Sequence, residues 1–231
     1  MTTEPIVALD SATLADAVSL VRTLGGLCRF YKIGSELFTA AGPAAIAAVR
    51  DLGCDVFLDL KFHDIPNTVG AAVRTAAAHG VRLVTVHATG GVAMLEAAVD
   101  AAEREQCGVL AVTVLTSLTG EHLGHAWGRP IGSVRDEVLR LAGHAADARV
   151  HGVVCGGEEA GAVRARYGDR LVVVVPGVRL DGGAGHYQAR VVTARTARQA
   201  GARYVVLGRA VTQAPDPRAA MTAVLNDLGG A

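Results

Sequence analysis

Short apolar runs alternate along the chain with longer stretches in which apolar positions recur every three or four residues. The runs fall at residues 6–9, 29–33, 54–60, 82–87, 108–114, 150–154, 171–175 and 203–207. They are rich in Val, Ile and Leu and bounded by Gly, Pro or charged residues, as buried strands are. Helices are expected between them, over about 12–25, 43–52, 67–79, 92–105, 133–148, 158–167, 188–200 and 217–228. Ser11 and Ser133 stand where N-caps belong, and Gly25-Gly26, Gly53 and Gly80 mark helix ends. Pro176-Gly177 is expected to stop the seventh strand, and residues 118–132 to form the least regular loop.

Eight strands, each followed by a helix, imply parallel strands joined by right-handed crossovers. The expected fold is α/β, a closed (β/α)8 TIM barrel, with residues 1–231 as one domain and no obvious linker. An open doubly wound sheet is the competing architecture. It would hold phosphate at a glycine-rich turn after the first strand, and Asp10-Ser11-Ala12-Thr13 has no glycine. Aromatic residues make up only 4% of the chain, so Ala, Val, Leu and Gly must fill the core. That suits closely packed helices and parallel strands.

One polar stretch stands out, Asp59-Leu60-Lys61-Phe62-His63-Asp64-Ile65-Pro66-Asn67-Thr68, at the carboxyl end of the third apolar run. On a strand, residues two apart share a side, so Asp59 and Lys61 point together and Leu60 points away. Carboxylates and an ammonium at the end of a buried strand are costly unless they pair or do chemistry. A structural ion-pair cluster is an equal reading of this triplet taken alone.

The other strand ends decide between the two, because barrel enzymes place their sites at the carboxyl ends of the strands. Asp10 ends the first strand, Lys32 the second, Asp59 and Lys61 the third and His87 the fourth. Thr116-Ser117 follows the fifth, Arg179 the seventh and Gly208-Arg209 the eighth. Arg179 with Gly208-Arg209 matches the position of the usual barrel phosphate site, with surface pairing of Arg209 as the plainer reading. The loop 180–187, rich in glycine, reads as a lid or as a plain connection.

The remaining features narrow the class. Net charge is zero and no Lys/Arg block is visible, which argues against nucleic acid as a partner. Lys32 and Lys61 are the only lysines. Cys28, Cys54, Cys107 and Cys155 form no C-x-x-C pair and read as free thiols in a reducing compartment. No signal peptide and no apolar run long enough to span a membrane are visible, so a cytoplasmic location is expected. His122 and His125 have a metal-like spacing that nothing completes, and read as surface loop. His63 and His87 are assigned to packing or to the rim, and Trp127 to hydrophobic cover. No metal site is expected.

Taken together, Ala8-Leu9-Asp10, Tyr31-Lys32-Ile33-Gly34, Asp59–Thr68, Val112–Ser117, Pro176-Gly177-Val178-Arg179, Gln188 and Val206-Leu207-Gly208-Arg209 resemble the orotidine 5'-phosphate decarboxylase family, in the family's order. The Asp59–Thr68 motif is the specific part; the others are jointly strong. The resemblance implies a homodimeric barrel that converts orotidine 5'-monophosphate to uridine 5'-monophosphate and CO2, in pyrimidine nucleotide biosynthesis, with no cofactor. It implies Asp10 and Lys32 on the ribose hydroxyls, Asp59 beside the substrate carboxylate and Lys61 as proton donor to C6. Asp64 and Thr68 would reach across the dimer. Thr116 would contact the pyrimidine, Gln188 the pyrimidine and phosphate, and Arg179, Gly208 and Arg209 the phosphate.

The chain departs from the family pattern at Ala210, Tyr187 and Ala194, where proline, aspartate and proline are common. These positions touch loop shape and helix entry, outside the charged set. Two other readings remain open. One is a magnesium-dependent sugar-phosphate decarboxylase or synthase of the same barrel type, which typically has a metal-binding Glu where Lys32 stands. The other is a non-catalytic nucleotide-binding barrel.

Overall fold

The computed structural model describes residues 2–180 and 192–229. Its strands are β1 (Glu4–Ala8), β2 (Phe30–Gly34), β3 (Asp55–Phe62), β4 (Leu83–His87), β5 (Gly108–Val112), β6 (Gly152–Val154), β7 (Val172–Val178) and β8 (Tyr204–Leu207). They pair in parallel and in chain order, and β8 pairs back onto β1 to close the barrel. The helices are α1 (Leu14–Leu24), α2 (Ser35–Ala41), α3 (Pro43–Asp51), α4 (Pro66–Ala78), α5 (Val92–Ala102) and α6 (Gly120–Trp127). They continue as α7 (Val134–Asp147), α8 (Gly157–Tyr167), α9 (Ala194–Gln199), α10 (Arg209–Thr212) and α11 (Pro217–Asp227).

Strand alternation divides the apolar residues into two separate layers. Ile6, Phe30, Phe57, Leu83, Leu110, Val174, Tyr204 and Val206 form one buried cluster, the filling of the barrel. Their neighbours in sequence, among them Val7, Tyr31, Val56, Leu58, Val84, Val173 and Val205, belong to the larger cluster under the helices. Each such side chain, fully buried, contributes about 1.5–3 kcal/mol of transfer free energy. The filling is a packed floor, so the barrel has no through-channel and its two mouths are separate spaces.

Several elements differ from the sequence expectation, each for a local reason. Thr13, not Ser11, caps α1, its hydroxyl accepting from the Asp16 N–H at 3.2 Å. The short α2 was not expected; it buries only Leu37 and so shows little periodicity. The expected loop at 118–132 contains α6, capped by Thr119 and anchored by buried Leu123, although Gly120 and Gly124 weaken its helix propensity. Strand β7 continues through Pro176-Gly177 to Val178, and a register shift against β8 absorbs the missing proline N–H. Ser133 caps α7 as expected. Of the helix expected over 188–200, α9 is the described part; 188–191 lie outside the described residues.

At the amino-terminal mouth, Arg82 donates to Glu4 at 3.1 Å and to Asp55 at 2.8 Å, with its guanidinium 4.7 Å from the Phe30 ring centroid. A cleft of about 410 Å³ opens on that side, between Arg82, Cys107, His151 and Tyr204. The charged residues singled out in the sequence lie at the opposite end.

Candidate active site

The barrel's own register places the site. On β1 the inward positions are Ile6, Ala8 and then Asp10; on β2 they are Phe30, Lys32 and Gly34; on β3, Phe57 and Asp59. On β4 they are Leu83, Thr85 and His87. The lower member of each series fills the floor, and the upper members stand above it at the carboxyl end.

Those upper residues form one alternating row. Asp10 Oδ1 lies 3.2 Å from Lys32 Nζ, which lies 3.5 Å from Asp59 Oδ2. The other oxygen of Asp59, Oδ1, accepts from Lys61 Nζ at 2.8 Å. The Lys32 and Asp59 side chains are each 13% exposed, while Lys61, at 36%, faces the open side. Burial pushes the Asp59 carboxyl up, but the Lys61 and Lys32 charges and the hydrogen bonds from Lys61 and Thr85 outweigh it. Asp59 therefore sits below the ordinary carboxylate range and is ionised at neutral pH.

Asp59 and Lys61 meet as expected, but not through a regular pleat. Between the pairs Leu58–Val84 and Phe62–Val86, three residues of β3 oppose the single residue Thr85. This bulge turns Lys61 into the left-handed region, φ 52°. Thr85 is fully buried and fills the gap: its hydroxyl accepts from the Lys61 N–H at 2.9 Å and donates to Asp59 Oδ1 at 3.0 Å. Leu60 points away and packs against the layer under the helices.

Two site residues are given no role by the sequence reading. Thr85 was one, hidden in the apolar run Leu83-Val84-Thr85-Val86; its parity with Leu83 and His87 was the available signal. Gly34 was the other: a β-carbon there would lie 2.9 Å from Lys32 Nζ and 3.5 Å from Asp10 Oδ1.

The remaining residues fall around this row. Asp64 and Thr68 are exposed, and Asp64 accepts from the Ile65 N–H at 2.6 Å. Among the described residues, no ion pair within the chain joins Asp64 to either lysine. Thr116 is half-buried after β5. Arg179 is half-buried after β7, with its N–H on the Val192 carbonyl at 3.1 Å. Gly208 precedes α10 and Arg209 opens it, exposed. Gln188, Tyr187 and the expected lid lie outside the described residues, apart from Leu180.

His63 is exposed rather than packed, its ring centroid 5.3 Å from that of His87. Burial, then His63 and Lys61, hold His87 below the ordinary histidine value, against the pull of Asp59. His122 and His125 are exposed on α6, and among the described residues no group of three or more His, Cys, Asp or Glu could hold a metal ion. None of the four cysteines is in a disulfide. No helix is long and apolar enough to cross a membrane among the described residues.

A closed (β/α)8 barrel that sets two carboxylates and two ammonium groups in one row above its floor, at the carboxyl ends of its strands, has the plan of a barrel enzyme. Residues 3–224 match the family model for the orotidine 5'-phosphate decarboxylase / HUMPS family, and the chain belongs to that family. It is 49% identical to the orotidine 5'-phosphate decarboxylase of Anaeromyxobacter sp. (strain K), over 96% of each chain. It is 47% identical to that of Halorhodospira halophila, over 98% of this chain and 96% of the relative. A crystal structure of orotidine 5'-phosphate decarboxylase from Lactobacillus acidophilus superposes with a TM-score of 0.87 at 32% identity, covering 99% of this chain and all of that one.

Proposed function

We propose that the protein decarboxylates orotidine 5'-monophosphate to uridine 5'-monophosphate and CO2, a step of pyrimidine nucleotide biosynthesis, without a metal or organic cofactor. The observation that carries this reading is the row Asp10–Lys32–Asp59–Lys61. The relatives' activity supports the choice of substrate.

In the reaction the C6–carboxylate bond breaks and its electron pair stays on C6. Lys61 Nζ, fixed by Asp59, stabilises that charge and then passes a proton to C6; solvent returns the proton to the lysine. Asp59 faces the departing carboxylate and keeps both ammonium groups in place. Repulsion between two carboxylates would raise the bound ground state, a contribution whose size is contested. Asp10 and Lys32 hold the ribose hydroxyls, Thr116 the pyrimidine, Gln188 the pyrimidine and phosphate, and Arg179, Gly208 and Arg209 the phosphate. Binding energy from the distant phosphate organises the site.

The working unit in this reading is a homodimer, with Asp64 and Thr68 entering the neighbour's site. Two observations support it: Asp64 takes no part in its own chain's row, and the adjoining Ile65 is 66% exposed. The magnesium-dependent sugar-phosphate reading is disfavoured because the Lys32 ammonium stands between Asp10 and Asp59, where it would repel a cation.

The test is ultraviolet absorbance of orotidine 5'-monophosphate with the purified protein, in EDTA and without added metal. Rapid conversion to uridine 5'-monophosphate is the expected result. No conversion by folded protein would overturn the reading and move the substrate to pentulose or hexulose phosphates with magnesium.

A further inference from the structure

We infer that Thr85 is a positioning residue, which fixes both ends of Lys61 to Asp59 through one buried hydroxyl. The inference rests on the decarboxylase reading for its kinetics, but its geometry is independent of the substrate.

The hydroxyl has two partners and no room for choice. It accepts from the backbone N–H of Lys61 and donates to Asp59 Oδ1, the same oxygen that receives Lys61 Nζ. The lysine is thus held at its backbone by Thr85 and at its ammonium by Asp59, and the ring closes through Thr85. The Lys61 N–H is served by this side chain at the bulge, where three residues of β3 oppose one of β4. A left-handed backbone at a lysine is unfavourable and persists only where its surroundings hold it. Thr85 supplies the hold on the N–H side, in a position with no solvent access.

A residue of the same shape without the hydroxyl would remove the tie and leave the packing. It would strand a buried N–H and take one donor from the Asp59 carboxylate. Serine would keep the hydroxyl and lose only a methyl group. These two variants separate the polar role from the structural one.

The experiment compares Thr85→Val and Thr85→Ser with the parent in steady-state kinetics, thermal unfolding and amide hydrogen exchange at Lys61. Thr85→Val is expected to remain folded with a melting transition lowered by several degrees by the stranded N–H, to lose about a hundredfold in kcat with little change in KM, and to exchange the Lys61 amide faster. Its acidic kcat limb should move to higher pH, since Asp59 has lost a hydrogen bond that favours its charged form. Thr85→Ser should restore kcat to within about threefold of the parent and restore slow exchange. If Thr85→Val does not fold, Thr85→Ala against Thr85→Ser carries the same comparison.

Parent-like kcat and parent-like Lys61 exchange in a folded hydroxyl-free variant would overturn the inference. So would a Thr85→Ser variant as impaired as Thr85→Val. A parent that does not turn over orotidine 5'-monophosphate would sink the decarboxylase reading instead, and the exchange measurement would still decide the role of Thr85.

Discussion

Gly34 and Lys32 share one small volume: a β-carbon on Gly34 would come within 2.9 Å of the Lys32 ammonium. The backbone at Gly34 is ordinary, φ −94°, so space and not conformation requires glycine there. Gly34→Ala should displace the ammonium from between Asp10 and Asp59 while the fold persists. A fall of about tenfold or more in kcat/KM, with an unchanged melting temperature, is expected. Unaltered kinetics would mean that the position of Lys32 is not critical.

Lys61→Ala should reduce kcat by about a thousandfold or more, because the variant lacks both the stabilising charge and the proton donor. The side chain is partly exposed, so circular dichroism and melting should resemble the parent's. A near-parental rate would remove Lys61 as the acid.

Asp59→Ala and Asp64→Ala chains should each be inactive alone. Mixed and allowed to exchange subunits, they should recover about a quarter of the parent's activity, since one site of each hybrid dimer is intact. No recovery despite demonstrated exchange would place both aspartates in a single-chain site.

His87 and Asp59 predict the acid side of the stability curve. His87 is held below its ordinary 6.5, so the unfolded chain takes up this proton more readily than the folded one. Its share of stability is complete above 6.5 and is lost as pH falls below it. Asp59, held below 3.8, contributes fully above that value and loses its share as pH falls further. Urea midpoints between about pH 5 and pH 7.5 should decline toward acid in the parent and less steeply in His87→Gln. Equal slopes would remove His87 as the cause.

Much of the site was legible because two simple rules coincide. Parallel strands of period two ending in Asp10, Lys32 and Asp59 point to one rim, and the observed row joins those residues. The bulge was not legible, because nothing in Asp59-Leu60-Lys61 signals a left-handed lysine. Thr85 escaped for a related reason: threonine is at home in strands, and its importance comes from a partner twenty-four residues earlier. Helix α6 was hidden by its glycines, and the end of β7, beyond Val175, by a proline that the neighbouring register accommodates. In each case a tertiary contact overrode a local preference.

The scarcity of lysine has a practical corollary. Apart from the chain's α-amine, Lys61 and Lys32 are the protein's only primary amines, and Lys61 is the more exposed of the two. Succinimidyl dyes, aldehyde supports and amine cross-linkers, which decorate the outside of most proteins, would here react at the centre of the proposed chemistry. Immobilisation or labelling would have to use other handles, and the pace of inactivation by such a reagent would report how open the rim is.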